Sequence, residues 1–151
     1  MTEIEKYLTH KSKGGYSDCI YGSSLKRSLW KGSTIPNCIG LAWGLFNYDR
    51  NTKDKFKRMN GNANEIYEKC KKNGSGFWVS KTPKERAIAC YNIGAQGHVV
   101  YIWKLFTETS AIMIESNYSG TIANQKAIRF LYGNPKSIYK GYQGCIYNFT
   151  W

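Results

Sequence analysis

Downstream of Gly76 the apolar residues of this chain fall into short runs rich in Val, Ile, Tyr and Trp, whereas upstream they sit in helix-like segments. Helices first and mostly consecutive strands afterwards favour an α+β fold, with N-terminal helices packed on an antiparallel sheet. Behind Pro36-Asn37, an apolar run from Cys38 through Ile39, Leu41, Ala42, Trp43, Leu45 and Phe46 predicts a buried helix to about Tyr48, with Asn37 as its cap. Gly40 and Gly44 weaken that helix and leave room for close approach. Further helices are predicted over Glu3–Thr9, Ser23–Trp30 and Ala63–Lys72. Strands are predicted over Ala87–Tyr91, His98–Leu105, Ala111–Tyr118, Lys126–Tyr132 and Gly144–Trp151, with a loop or edge strand over Gly76–Pro83. Turns are predicted at Gly94–Gly97, Thr107–Ser110 and Asn134-Pro135.

A length of 151 residues suits one domain with a core of its own. Met1 to Lys13 is polar and lacks the apolar stretch of a secretory signal, so synthesis in a cytosol, or trimming of a longer precursor, is expected. No apolar run approaches the roughly 20 residues of a membrane span. Five cysteines, an odd number with no CxxC pair, argue against a disulfide framework; Cys19, Cys70, Cys90 and Cys145 read as structural thiols. The formal charge is +12, with 22 Lys and Arg against 10 Asp and Glu, which implies a polyanionic partner: nucleic acid or an anionic bacterial wall.

Cys38, first in a capped helix, sits where unpaired N–H groups and the helix dipole favour a thiolate. Taken alone, it reads better as a buried thiol. His98 is one of only two histidines; the other, His10, lies in a polar stretch. His98 opens a strand and shares a face with Val100 and Ile102. A hairpin turning about Thr107 and Glu108 sets His98 opposite Asn117, with Glu115 two residues back on the same face and within diagonal reach. A carboxylate and an amide then converge on the imidazole, and either can orient it. Those parts suit acyl transfer. Cys38 attacks a carbonyl carbon, and His98 shuttles the proton to the leaving amine. Glu115 with Asn117 orients His98, and the Cys38 backbone N–H supplies one oxyanion donor.

The segment Pro36-Asn37-Cys38-Ile39-Gly40-Leu41-Ala42-Trp43-Gly44 resembles the nucleophile helix of CHAP domains (cysteine, histidine-dependent amidohydrolases/peptidases). Gly97-His98-Val99-Val100 and Glu115-Ser116-Asn117-Tyr118 resemble the family's other two site segments, at spacings of 60, 17 and 2 residues. Gly61-Asn62-Ala63, and Thr82-Pro83 before Ala87–Tyr91, sit where clostridial and phage members have similar elements. The likeness covers roughly 36 to 150. It implies a papain-like (NlpC/P60-type) fold and a single catalytic domain over 1–151, with an N-terminal segment 1–35 and a core 36–151. It further implies a peptidoglycan hydrolase, either an N-acetylmuramoyl-L-alanine amidase or a stem- or bridge-peptide endopeptidase. By that resemblance Cys38, His98 and Glu115 are catalytic and Asn117 assists. Many members are phage endolysins made without a signal peptide and acting at the wall. Some hold calcium in an Asp-rich loop before the nucleophile; here no Asp or Glu occurs between Asp18 and Asp49, so no calcium is expected there, and no cofactor.

Three other readings stand beside this one. A cysteine peptidase or amidase acting on ordinary protein uses the same residues. A basic nucleic-acid-binding module fits the charge and the 12 tyrosines, but the Lys and Arg are scattered and no known motif is present. Zinc on Cys38, His98 and Glu115 fits by ligand type but lacks paired ligand spacing. Trp43, Trp78 and Trp103 fit a substrate groove, though core packing is the better role for each.

Overall fold

The computed structural model describes residues 38–49, 61–72, 74–115 and 129–148. The helices expected over Glu3–Thr9 and Ser23–Trp30, the Asn37 cap, His10, Cys19, Asn117 and the chain end beyond 148 lie outside the described residues.

Helix α1 (Cys38–Asp49) starts at the cysteine. Two glycines cost such a helix about 1 kcal/mol each relative to alanine. Burial offsets this: Leu41, Trp43, Leu45 and Phe46 are wholly enclosed, each contributing roughly 1.5–3 kcal/mol or more. Trp43 packs on Phe77 and Phe46 at ring-centroid distances of 5.1 and 5.5 Å, so it is a core residue. Helix α2 (Ile66–Lys71) turns Ile66, Tyr67 and Cys70 inward. It begins three residues later than its periodicity suggests. Asn62 and Glu65 bond reciprocally there: the Glu65 N–H donates to the Asn62 carbonyl, and the Asn62 N–H donates to Glu65 Oε1.

Among the described residues six strands form one antiparallel sheet: β1 (Trp78–Ser80), β2 (Ala87–Tyr91), β3 (His98–Thr107), β4 (Ser110–Glu115), β5 (Arg129–Gly133) and β6 (Tyr142–Tyr147). Their order is β1-β6-β2-β3-β4-β5, so the last strand inserts between the first two. The chain is thus an α+β protein. Central β2 is buried on both faces, which explains its unbroken apolar run. The expected edge strand is β1. Its Trp78 is 55% exposed, which corrects the core role expected of it; among the described residues β1 is an edge strand, paired on one flank alone.

The two faces pack differently. Ile88, Cys90, Val99, Tyr101, Ile114 and Ile146 meet α1 and α2. On the opposite face, Ala87, Ala89, Val100, Ile102, Ala111, Met113 and Cys145 lie beneath Tyr91, Tyr139, Tyr142 and Tyr147.

The β3–β4 hairpin turns at Glu108-Thr109, because Thr107 pairs with Ser110, and both strands reach further toward the tip than expected. Two register shifts, between Ile102 and Lys104 and between Leu105 and Thr107, give β3 two extra residues, Trp103 and Phe106. These restore the expected pairing deeper in the hairpin, where Tyr101 faces Ile114 and Ile102 faces Met113.

Candidate active site

Three elements meet at the rim of the sheet. Helix α1 delivers Cys38 from the helix face, where it packs against the core and stays partly accessible. Strand β3 delivers His98 on the side of Val100 and Ile102, and β4 delivers Glu115 on the side of Ala111 and Met113, the face away from the helices. His98 is placed by the turn before it. Gly97 has φ +78°, and a Cβ there would lie 2.8 Å from the Asn64 Cα. Only glycine permits both that dihedral and that approach. The Asn64 N–H donates to the Gln96 carbonyl at 3.0 Å, locking the turn against the residues that precede α2.

His98 Nε2 donates to Glu115 Oε1 at 2.7 Å, with the two residues only 3% and 1% exposed. A carboxylate only accepts, so Nε2 carries a proton, and Nδ1 is the nitrogen left for the sulfur. Cys38 is hydrogen-bonded to the ring. Burial is the largest influence on His98 and opposes its charge. The hydrogen bonds with Cys38 and Glu115, and the charges of both, outweigh it and push the imidazole from 6.5 up to about 9. The result is a line of sulfur, imidazole and carboxylate with only the sulfur end open. Such a line can share a proton between thiol and ring and can hold an imidazolium.

A family model of the CHAP domain matches residues 30–117. The chain belongs to the CHAP domain family. It is therefore a member of a family of cysteine- and histidine-dependent amidohydrolases and peptidases. The crystal structure of the wild-type endolysin LysIME-EF1 is similar across 98% of this chain at 14% identity, with a TM-score of 0.52. That likeness is one of fold and agrees with a papain-like α+β architecture; this CHAP chain spans 65% of that structure's length.

In this CHAP domain the structure brings together Cys38, His98 and Glu115, all inside the matched stretch, whereas Asn117 lies outside the described residues. Among the described residues no three of His, Cys, Asp and Glu are grouped to hold a metal. The imidazole stands between sulfur and carboxylate, so the three do not converge on one point as zinc would require. Cys70, Cys90 and Cys145 are buried free thiols; burial pushes Cys70 up to about 12 and Cys90 well above its ordinary value. They are inert packing groups. No helix among the described residues is long and apolar enough to cross a membrane.

One polar neighbour escapes sequence reasoning. Tyr139, in the loop between β5 and β6, donates its hydroxyl to Glu115 Oε1 and Oε2 at 2.6 and 2.8 Å. It lies 24 residues from the carboxylate in an aperiodic loop. No spacing rule reaches it; the only sequence signal is the density of tyrosines around it.

Proposed function

We propose that this chain hydrolyses an amide bond of bacterial peptidoglycan, with Cys38 as nucleophile, His98 as base and then acid, Glu115 as orienting carboxylate and Asn117 assisting. The observation that carries the reading is the hydrogen-bonded line Cys38–His98–Glu115 with its sulfur end accessible. Membership in the CHAP family and the endolysin fold supply the substrate class.

The Cys38 thiol gives its proton to His98, and the thiolate attacks the carbonyl carbon. The oxyanion that forms is met by the Cys38 backbone N–H at the start of α1. As the C–N bond breaks, the imidazolium protonates the departing amine, leaving a thioester on Cys38. Water, deprotonated by His98, hydrolyses the thioester and regenerates the thiol. Glu115 stays ionised and stabilises the imidazolium in both halves of the cycle. The +12 charge favours the anionic polymers of the wall and gives a chain acting as an endolysin a way to dwell on its substrate.

The test is mass spectrometry of purified peptidoglycan after digestion. New amino termini are expected from the native chain and none from Cys38→Ala, while casein stays intact. Equal release by Cys38→Ala rejects the mechanism, and casein cleavage without wall cleavage rejects the substrate. Binding to walls is expected to weaken at moderate salt; salt-indifferent binding rejects the electrostatic part.

A further inference from the structure

Glu115 poses a physical problem. A carboxylate 1% exposed has lost its hydration and must find donors within the protein. His98 occupies one lone pair of Oε1. The remaining acceptor capacity decides whether the carboxylate stays aimed at the ring, because rotation about its terminal torsion would carry Oε1 away from Nε2.

We propose that Tyr139 is a positioning residue of this site, its hydroxyl bridging both oxygens of Glu115 and so holding the carboxylate that holds His98. The inference rests on the Cys38–His98–Glu115 reading above. The hydroxyl reaches Oε1 and Oε2 at 2.6 and 2.8 Å, which restrains the carboxylate plane. The Tyr139 ring also stands edge-on to the imidazole, with centroids 4.9 Å apart at 75°, so one side chain contacts both members of the pair. A phenol suits this task better than a Lys or Arg. It satisfies the carboxylate without adding a second cation, so the negative charge remains available to the imidazolium.

The loop is built to keep that hydroxyl in place. The Tyr139 ring packs edge-on against Tyr91 at 5.5 Å, and the Tyr91 hydroxyl donates to the Pro135 carbonyl at the loop's start. At its end, the Asn92 N–H donates to the Gly141 carbonyl at 2.8 Å. Gly141 has φ +76°, and a Cβ there would lie 2.9 Å from the Asn92 carbonyl carbon. The loop is therefore pinned on both sides of Tyr139, through β2 residues and their neighbours, beside the strand that bears His98.

Tyr139→Phe keeps both ring contacts and removes only the hydroxyl, with folding checked by circular dichroism. On purified peptidoglycan its kcat is expected to fall about tenfold with KM within about twofold, the pattern of a lost transition-state interaction. In a Glu115→Gln background the same change is expected to alter kcat by less than about twofold, because the tyrosine acts only through the carboxylate. A wild-type kcat in Tyr139→Phe, or a full tenfold loss repeated in the double variant, overturns the proposal. Cys38→Ala is assayed alongside: full activity there sinks the underlying mechanism, whereas an inactive Cys38→Ala with an unimpaired Tyr139→Phe sinks only the role of Tyr139.

Discussion

On the face that meets the helices, the sheet is packed by aliphatic and aromatic side chains, with Trp43, Leu41, Leu45 and Phe46 sunk among Ile88, Val99 and Ile114. On the opposite face, alanines and Cys145 make space for tyrosines, and those tyrosines end in hydroxyls that fasten distant backbone and side-chain groups. Tyr91 holds Pro135, Tyr142 holds the Lys81 carbonyl at 2.9 Å, and Tyr139 holds Glu115. Cys38, the proposed nucleophile, arrives from the first face, and His98 and Glu115 from the second. Apolar packing is non-directional and serves to seat a whole helix. Hydrogen bonds are directional and serve to aim a ring and a carboxylate. The rim is where a helix placed by shape meets side chains placed by angle.

Removing one partner from each face is expected to give the largest loss. Cys38→Ala and His98→Ala are each expected to lower kcat by about 10³-fold or more, and the double variant by little beyond either alone, since the proposed mechanism uses the two as a unit. Fully additive losses would show that the two faces work independently. Leu45→Ala, deep on the helix face, is expected to cost about 2–5 kcal/mol of stability in denaturant titration, through the cavity it leaves. Gly97→Ala is expected to cost roughly 1–3 kcal/mol, because a Cβ must enter the Asn64 backbone at a positive φ. Its loss of activity should exceed that of Leu45→Ala at equal folded fraction, since the displaced turn carries His98.

His98 is raised from 6.5 to about 9, so the imidazolium that the proposed mechanism uses to protonate the leaving amine persists through neutral pH and disappears above about 9. An alkaline limb of kcat/KM near pH 9 is expected. The same group's contribution to stability is fully present below 6.5 and lost as pH rises through about 9. A limb near 6.5 would mean that the opposite face does not hold the charged ring. Tyr142→Phe, which loses one hydroxyl bond of that face, to the Lys81 carbonyl, is expected to cost only about 1 kcal/mol.

Much of this arrangement is legible in the sequence where a period carries it. The apolar run after Cys38 gives α1, and Ala87–Tyr91 is β2 without adjustment. Two-residue alternation together with the position of the hairpin turn places His98 and Glu115 on a common face. The hairpin is instructive: a turn misplaced toward Thr107 still yields the right pairing near the rim, because bulges at Trp103 and Phe106 cancel the error. Bulges leave no mark in a hydrophobicity pattern, and neither does Tyr139. Its relation to Glu115 depends on how a loop folds back over β2, which local propensity does not encode. Trp78 misleads for a related reason, since an aromatic in a strand reads as core whether its strand is central or at an edge.

The bulges on β3 have an engineering consequence. They uncouple the hairpin's tip from its base: pairing at Tyr101 and Ile102 is held by side chains under the sheet, not by the length of the connection at Glu108-Thr109. Exposed and at the far end of β3 from His98, that connection is a natural splice point where an epitope tag or a second binding module can be inserted with the Cys38–His98–Glu115 site left intact.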